Sequence, residues 1–447
     1  MHVTQPENEI IQEASPPRSP IVMSPKQMAS AMILLSCCIG ILMTGFGIIV
    51  PVFPQRLEAL GLGAETLALM EGGFGLGMFL FSTPLGTLAD RVGRKPMVLL
   101  SLAGFIVTSV VLALVNIPVV FILVRFVEGA LVSGLMPASN AIVGDVVPVE
   151  KQGRWIGFMT TAQSAGFAIG PGIGGILYQA WGFSSPFFIT AAAALIASLL
   201  ALFMLPETLS PLVREEARVR YATRRQEKRQ KQKKERRMAL GQPGLLLVFL
   251  PLLIIDFGMT FAYPFVLPQY PFYFEKVLGY SAAQYGLIIS AYGGALAVFP
   301  MLLGGVSERF SKKLVITVGS ILTPIMNIAL LFVHQYSLLI LATILTGVGS
   351  ALLIPALSTI YLGMTSDHNR SQIMGIRGTA ISFAILTAPL AQALIAPWTP
   401  PQVSFGISVA LSLVIILLVI ITLKNPQQPE KHDEVKQEAL PEIATNI

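Results

Sequence analysis

Five ionisable residues stand inside long apolar runs of this chain: Glu71, Arg125, Glu128, Asp256 and Arg377. A charge within a lipid-spanning segment is costly and normally faces a cavity or a partner, so each is a candidate for work on ions or solutes. Arg125 and Glu128 are three residues apart in Leu123-x-Arg125-x2-Glu128-Gly129 and fall on one helix face. That spacing fits a structural ion pair, and equally an arginine that tunes a carboxylate which loads and releases a proton. Asp256, between Ile255 and Phe257, has no charge partner on its own segment. It reads as a polar packing contact or as an acid whose desolvation favours the proton-bound form. Glu71 comes early in its run, where it can snorkel or be solvated. Arg377 has no role evident in its own run, and pairing with one of these acids would neutralise it.

The elements that must position these residues are membrane helices. The chain has 447 residues, is 54% hydrophobic and only 12% charged. Soluble domains carry about 25% charged residues. A hydrocarbon core of ~30 Å takes about 20 apolar residues per helix. Twelve runs of that kind are expected, near 28–52, 66–88, 97–116, 118–140, 156–178, 184–205, 244–268, 282–305, 313–333, 336–362, 371–396 and 401–423. The expected fold class is an all-α membrane protein of twelve transmembrane helices in two six-helix halves. The domains are a tail at 1–27, a six-helix bundle at 28–205, a basic linker at 206–243, a second bundle at 244–423 and a tail at 424–447. With both termini inside, 26 of the 30 Lys and Arg fall on the inner side, and only Arg56 and Lys276 fall outside. That asymmetry places both ends in the cytoplasm. The first 25 residues lack an apolar core, so no cleavable signal peptide is expected. Cys37 and Cys38 are adjacent and give no disulfide framework. The basic linker reads as a solvated tether or as a stretch lying on anionic lipid. No nucleic-acid-binding fold accompanies it.

Between the second and third runs stands Gly86-Thr87-Leu88-Ala89-Asp90-Arg91-Val92-Gly93-Arg94-Lys95. A weaker copy, Gly304 to Lys313, follows 218 residues later and aligns Asp90 with Glu308, Arg91 with Arg309 and Lys95 with Lys313. The same offset pairs Gly129 with Gly347, Pro137 with Pro355 and Pro171 with Pro389. Two similar halves suit alternating access about a site between them. Gly86 and Gly93 permit a tight turn, Asp90 can accept from backbone N–H groups at a helix start, and Arg91, Arg94 and Lys95 can pair with nearby carboxylates. Asp145 is a candidate partner, or a plain loop charge. A simple positive-inside loop would explain the bases, but not the acid, the glycines or the repeat.

This loop resembles the signature of the major facilitator superfamily, in which it implies a gate on the cytoplasmic side. The resemblance covers residues 28–423. Gly157-x8-Gly166-x3-Gly170-Pro171-x2-Gly174-Gly175 is similar in spacing to the antiporter motif of the superfamily's proton-coupled drug exporters. Gly166, Gly170 and Gly174 form one smooth helix face on which another backbone can lie, which ordinary small-residue packing also provides. The arginine motif around Arg125 resembles another family element, with Glu128 where Gln is common. The resemblance implies a monomeric plasma-membrane transporter that exchanges an amphipathic small molecule, such as a drug, for protons, with membrane lipids around it and no cofactor or metal. A lipid or glycolipid flippase on the same fold is the alternative, and a non-transporting scaffold or sensor a more distant one. Neither an HExxH, a G-x-S-x-G nor a P-loop sequence occurs, which argues against an enzyme or an ATP-driven pump.

Because Asp90 belongs to the loop and not to a cavity, Asp90→Asn is expected to slow turnover while leaving substrate affinity nearly unchanged. Transport rate and binding measured on one preparation check this. Affinity lost in proportion to rate would contradict it.

Overall fold

The computed structural model describes residues 23–209, 243–303, 310–365 and 370–423. Glu308, Arg309, residues 1–22 of the first tail, the second tail, most of the linker and the side chain of Asp90 lie outside the described residues. The first half comprises α1 (Pro25–Ala59), α2 (Ala64–Val92), α3 (Arg94–Leu114), α4 (Pro118–Val146), α5 (Val149–Trp181) and α6 (Ser184–Met204). The second comprises α7 (Pro243–Val266), α8 (Ala282–Leu303), α9 (Lys312–Phe332, interrupted near Pro324), α10 (Tyr336–Met364), α11 (Arg370–Ile395) and α12 (Pro401–Thr422). Among the described residues there is no strand. Eleven helices among the described residues are long and apolar enough to cross a membrane. The remaining one, α5, is longer than most, but Gly, Gln and charged residues stand where leucines would raise its hydropathy.

Local sequence explains the helix ends. Ser24 and Gln27 form a reciprocal capping box around the first turn of α1, with Pro25 at the first helical position. Gly93, at φ 125°, both ends α2 and starts α3, a conformation that favours glycine. Several helices outrun the apolar runs that announced them. The fourth extends to Val146 and the fifth begins at Val149, because a helix continues past the lipid until a capping residue or proline stops it.

The 218-residue repeat holds atom by atom. Lys95 Nζ donates to Leu202 O at 2.6 Å, and Lys313 Nζ donates to Ile420 O at 2.9 Å. Each bond ties the start of a half's third helix to the end of its sixth. Two seams join the halves in the same register. A methyl on Gly75 of α2 would lie 3.1 Å from Leu386 Cα of α11, and one on Gly293 of α8 would lie 2.5 Å from Ala168 Cα of α5. One turn further along, Leu390 fills the space over Gly72, while Ser290 Oγ accepts from Gly172 N–H at 2.8 Å. All four contacts lie toward the end of the bundle opposite the linker, here called the far end. Toward the linker end the glycines of α5 and α11 make no such contact. Methyls on Gly153 and Gly157 of α5, or on Gly375 and Gly378 of α11, would meet nothing within 4 Å.

Far-end closure is reinforced by an exchange of core residues. Phe272, beyond α7, is buried with Ile49, Phe53 and Leu57 of the first half, and Val50 joins the core formed by Phe265, Tyr270 and Tyr285. The aromatic run after Asp256 reads in the sequence as an interfacial belt. Instead Tyr270, Phe272, Tyr273 and Phe274 are buried. The Tyr270 hydroxyl bonds Asn327 and that of Tyr273 bonds Leu330 O, because a 3-10 turn and a π turn carry the chain back under the second half.

Gly170 and Gly174 lie against α1. A methyl at either would sit 3.0 Å from a backbone carbon, Gly47 Cα or Ile48 Cα. Gly170→Val and Gly174→Val are expected to lower stability by about 1–3 kcal/mol through overpacking. Thermal unfolding in detergent checks this, and an unchanged midpoint for both would contradict it.

Candidate functional site

The intramembrane charges gather into two clusters, one in each half. In the first, Arg125 of α4 is fully buried and holds two acids. Its Nη1 donates to Glu128 Oε2 at 2.9 Å, and its Nη2 lies 3.0 Å from both carboxylate oxygens of Glu71 on α2. The guanidinium lies over the rings of Phe74 and Phe46, 4.4 and 5.1 Å from their centres. Glu71 therefore does not snorkel, as its place early in the run allowed; its side chain is 12% exposed and faces Arg125. A buried guanidinium draws any acid within reach, and α2 packs closely along α4.

In the second cluster, Arg377 of α11 bonds Asp256 of α7, Nε to Oδ2 at 2.7 Å, and donates from Nη1 to Ser358 Oγ of α10 at 2.9 Å. The Tyr361 ring lies 4.8 Å below it. Asp256 is thus not an unpartnered acid. Its partner comes from a helix more than a hundred residues away, and Arg377 gains the neutralising contact it needed. Sequence reasoning passed over Ser358, Tyr361, Phe46 and Phe74. The first two are three apart on one face of α10, which marks a polar stripe but nothing more specific.

The clusters are not repeats of one another. At the 218-residue offset Arg125 and Glu128 meet Thr343 and Thr346, while Asp256 and Arg377 meet Cys38 and Met159. They also differ in charge. The first holds two acids and one base, the second one of each. Both adjoin the seams: Glu71 precedes Gly72, and Phe257, next to Asp256, packs on Phe383 of α11, which in turn meets Phe79 of α2.

The other expected site residues fall in two places. Arg94 pairs with Asp145 at the end of α4; its Nη1 also donates to Ala141 O at 2.8 Å and its backbone N–H to Glu207 at 3.1 Å. With Lys95 on Leu202 O, these contacts brace the linker end of the first half internally. Around Pro171, α5 presents two small-residue faces. Gly166, Gly170 and Gly174 meet α1, whereas Gly172 and Gly175 meet Ser290 and Ala282–Ala283 of α8. Gly157 joins neither face. Among the described residues no group of three or more His, Cys, Asp or Glu is placed to hold a metal ion.

Comparison with known proteins agrees with this architecture. The sequence profile of the Major Facilitator Superfamily matches residues 35–281 and 252–445. Multidrug resistance protein 2 of Bacillus subtilis (strain 168) is 26% identical over 358 residues, covering 80% of this chain and 86% of the relative. Multidrug resistance protein MdtG of Klebsiella pneumoniae (strain 342) is 27% identical over 406 residues, covering 88% and 95%. Among solved structures, an inward-facing, occupied bacterial homolog of the human lysosomal transporter Spinster superposes with a TM-score of 0.70 at 15% identity, covering 89% of this chain and 97% of that one. The inward-open xylose transporter XylE from E. coli gives 0.67 at 15% identity, covering 90% and 98%. Profile, relatives and fold agree: the chain is a membrane transporter belonging to the Major Facilitator Superfamily.

Proposed function

We propose that this transporter exports amphipathic small molecules in exchange for entering protons, with both termini in the cytoplasm and the far end outside. The observation that carries the reading is the single Arg125 shared by Glu71 and Glu128. Three buried groups there hold one excess negative charge. One proton, or one cationic solute drawn near, balances it. Either guest weakens the case for the other, and that exclusion couples the two fluxes. The Asp256–Arg377 pair is balanced without a proton. This favours the Glu71–Arg125–Glu128 cluster over Asp256 as the place of the exchanged proton, with Asp256 and Arg377 as a second, charge-neutral element of the pathway.

Geometry supplies the link to movement. Glu71 is one residue from the Gly72–Leu390 contact, so a shift in its grip on Arg125 acts directly on the α2–α11 seam. The uncovered glycines at the linker end favour a path open inward, and breaking the two seams would open it outward. The driving force is the proton gradient, about 2.3 kcal/mol per charge per 100 mV plus the pH difference. The names of the multidrug resistance relatives support export of drug-like compounds.

Three variants test this in proteoliposomes with an imposed pH gradient and tetraphenylphosphonium as the probe cation. Glu71→Gln and Glu128→Gln are expected to keep passive exchange and lose uphill accumulation. Full pH-driven accumulation by both would sink the assignment. Arg125→Ala is expected to lose both activities, because it leaves two buried acids without their base.

The second cluster makes a separate prediction. Asp256→Asn is expected to destabilise the fold by roughly 3–5 kcal/mol by leaving Arg377 buried and unpaired. Pairing it with Arg377→Gln should recover much of that loss, as read by thermal unfolding. Equal damage in the single and double variants would contradict the pairing.

A further inference from the structure

At the outer end the segment after α7 crosses to the first half at two points. Phe272 is buried among first-half residues, and Lys276 Nζ lies 3.4 Å from Glu58 Oε1 of α1. Glu275 stands between these anchors, in the widened π turn Tyr273–Val277. Both of its carboxylate oxygens are buried without a hydrogen bond of good geometry, and the one donor placed toward them is the neutral Gln55 amide. The groups that face it are Gln55 and Glu58 of α1, Tyr178 of α5, Tyr285 of α8 and its neighbour Lys276. None of them serves it as a cation of its own. Lys276 is engaged by Glu58, and the Tyr178 hydroxyl points to Gln55 Oε1 at 3.5 Å. The nearby Arg56 is held by Asn116 and lies over the Phe183 ring. The closed outer end thus confines a carboxyl group beside a second acid on the opposing half. A carboxylate left there pays for desolvation and repels Glu58; a neutral acid does neither. Parting the halves would restore water to it.

We propose that Glu275 is a proton-operated latch of the outer gate, letting the halves close when it carries a proton and driving them apart when it loses it. The inference rests on the reading that the halves rock and that this end faces outward. It adds a function to that reading: an external proton would favour closure before it reaches the Arg125 cluster. A one-proton latch can change the open-to-closed ratio by up to about tenfold per pH unit.

The test is a distance measurement on the full chain in nanodiscs. Ile117 and Trp398 are exposed in far-end loops of opposite halves, 56% and 85% accessible. Spin labels on Ile117→Cys and Trp398→Cys, in a Cys37→Ser, Cys38→Ser background, report whether the outer ends are together or apart. The native latch is expected to show a long-distance population that grows from about pH 6 to about pH 8.5, spanning the range in which a confined acid exchanges its proton. Glu275→Gln, or Glu275→Ala should the amide not fold, is expected to hold that population about tenfold lower at the alkaline end and to abolish its growth. Lys276→Ala should raise the open population at every pH without abolishing the growth. A Glu275→Gln protein that follows the native curve overturns the proposal, and so does a native protein that ignores pH. The readout involves no substrate and no transported proton, so its failure is distinct from failure of the coupling variants.

Discussion

A guanidinium buried in a low-dielectric helix bundle must be answered by negative charge, and much of the site follows from that constraint. Arg125 is fully buried, and it fixes where Glu128 and Glu71 point. Two acids on one base leave the cluster one charge out of balance, and this makes it responsive. A perfectly matched pair would be inert to a proton. The second cluster is closer to that inert case, with Arg377 satisfied by Asp256 and Ser358. On the proposed reading the first binds and releases a guest. The second has a reason to hold three helices, α7, α10 and α11, in fixed register.

The scaffold and the chemistry obey different rules. Contacts that set helix spacing recur at 218 residues, down to a lysine on a carbonyl and a glycine under a neighbouring helix backbone. These contacts need only small residues and a long cationic tether, which both halves can supply. The ionisable residues within the spans do not recur, so each half holds a distinct electrostatic element beside the seams. The seams are also unequal in kind. On α2 and α11 only Gly75 meets backbone while a leucine side chain covers Gly72, whereas on α5 and α8 Gly175, Gly286 and Gly293 all meet backbone and Ser290 accepts a hydrogen bond from Gly172. A seam built on backbone contact tolerates less slack, which places the small-residue motif of α5 where closure must be most exact.

How much of this could be read from the chain alone depends on the range of the signal. Helix count, the two halves and the turn at Gly93 were legible, because apolar length and the charged decapeptide are local, although the decapeptide read as a loop is helical on both sides of Gly93. The Arg125–Glu128 pair was legible for the same reason, being three residues apart on one helix. Glu71 and Arg377 were visible as misplaced charges, but not their partners, since those contacts span 54 and 121 residues. Asp256 showed no partner on its own segment, and the pairing open to Arg377 could not be assigned to it among the three acids. The aromatic run after it was misread as a belt because composition cannot reveal that the chain turns back into the core. Two faces on α5, one for α1 and one for α8, could not be separated from the glycine spacing, which marks where a backbone can come close and not which one does.

The central claim is that one proton and one cationic solute compete for the Glu71–Arg125–Glu128 cluster. The most direct measurement is a proton count on binding. Purified transporter in weakly buffered detergent is titrated with tetraphenylphosphonium while released protons are followed by a pH indicator. The account predicts about one proton released per cation bound near the pH of half-protonation, falling to none in the Glu71→Gln variant, whose remaining acid is balanced by Arg125. Saturable binding with no proton release in the native protein at any pH would contradict it.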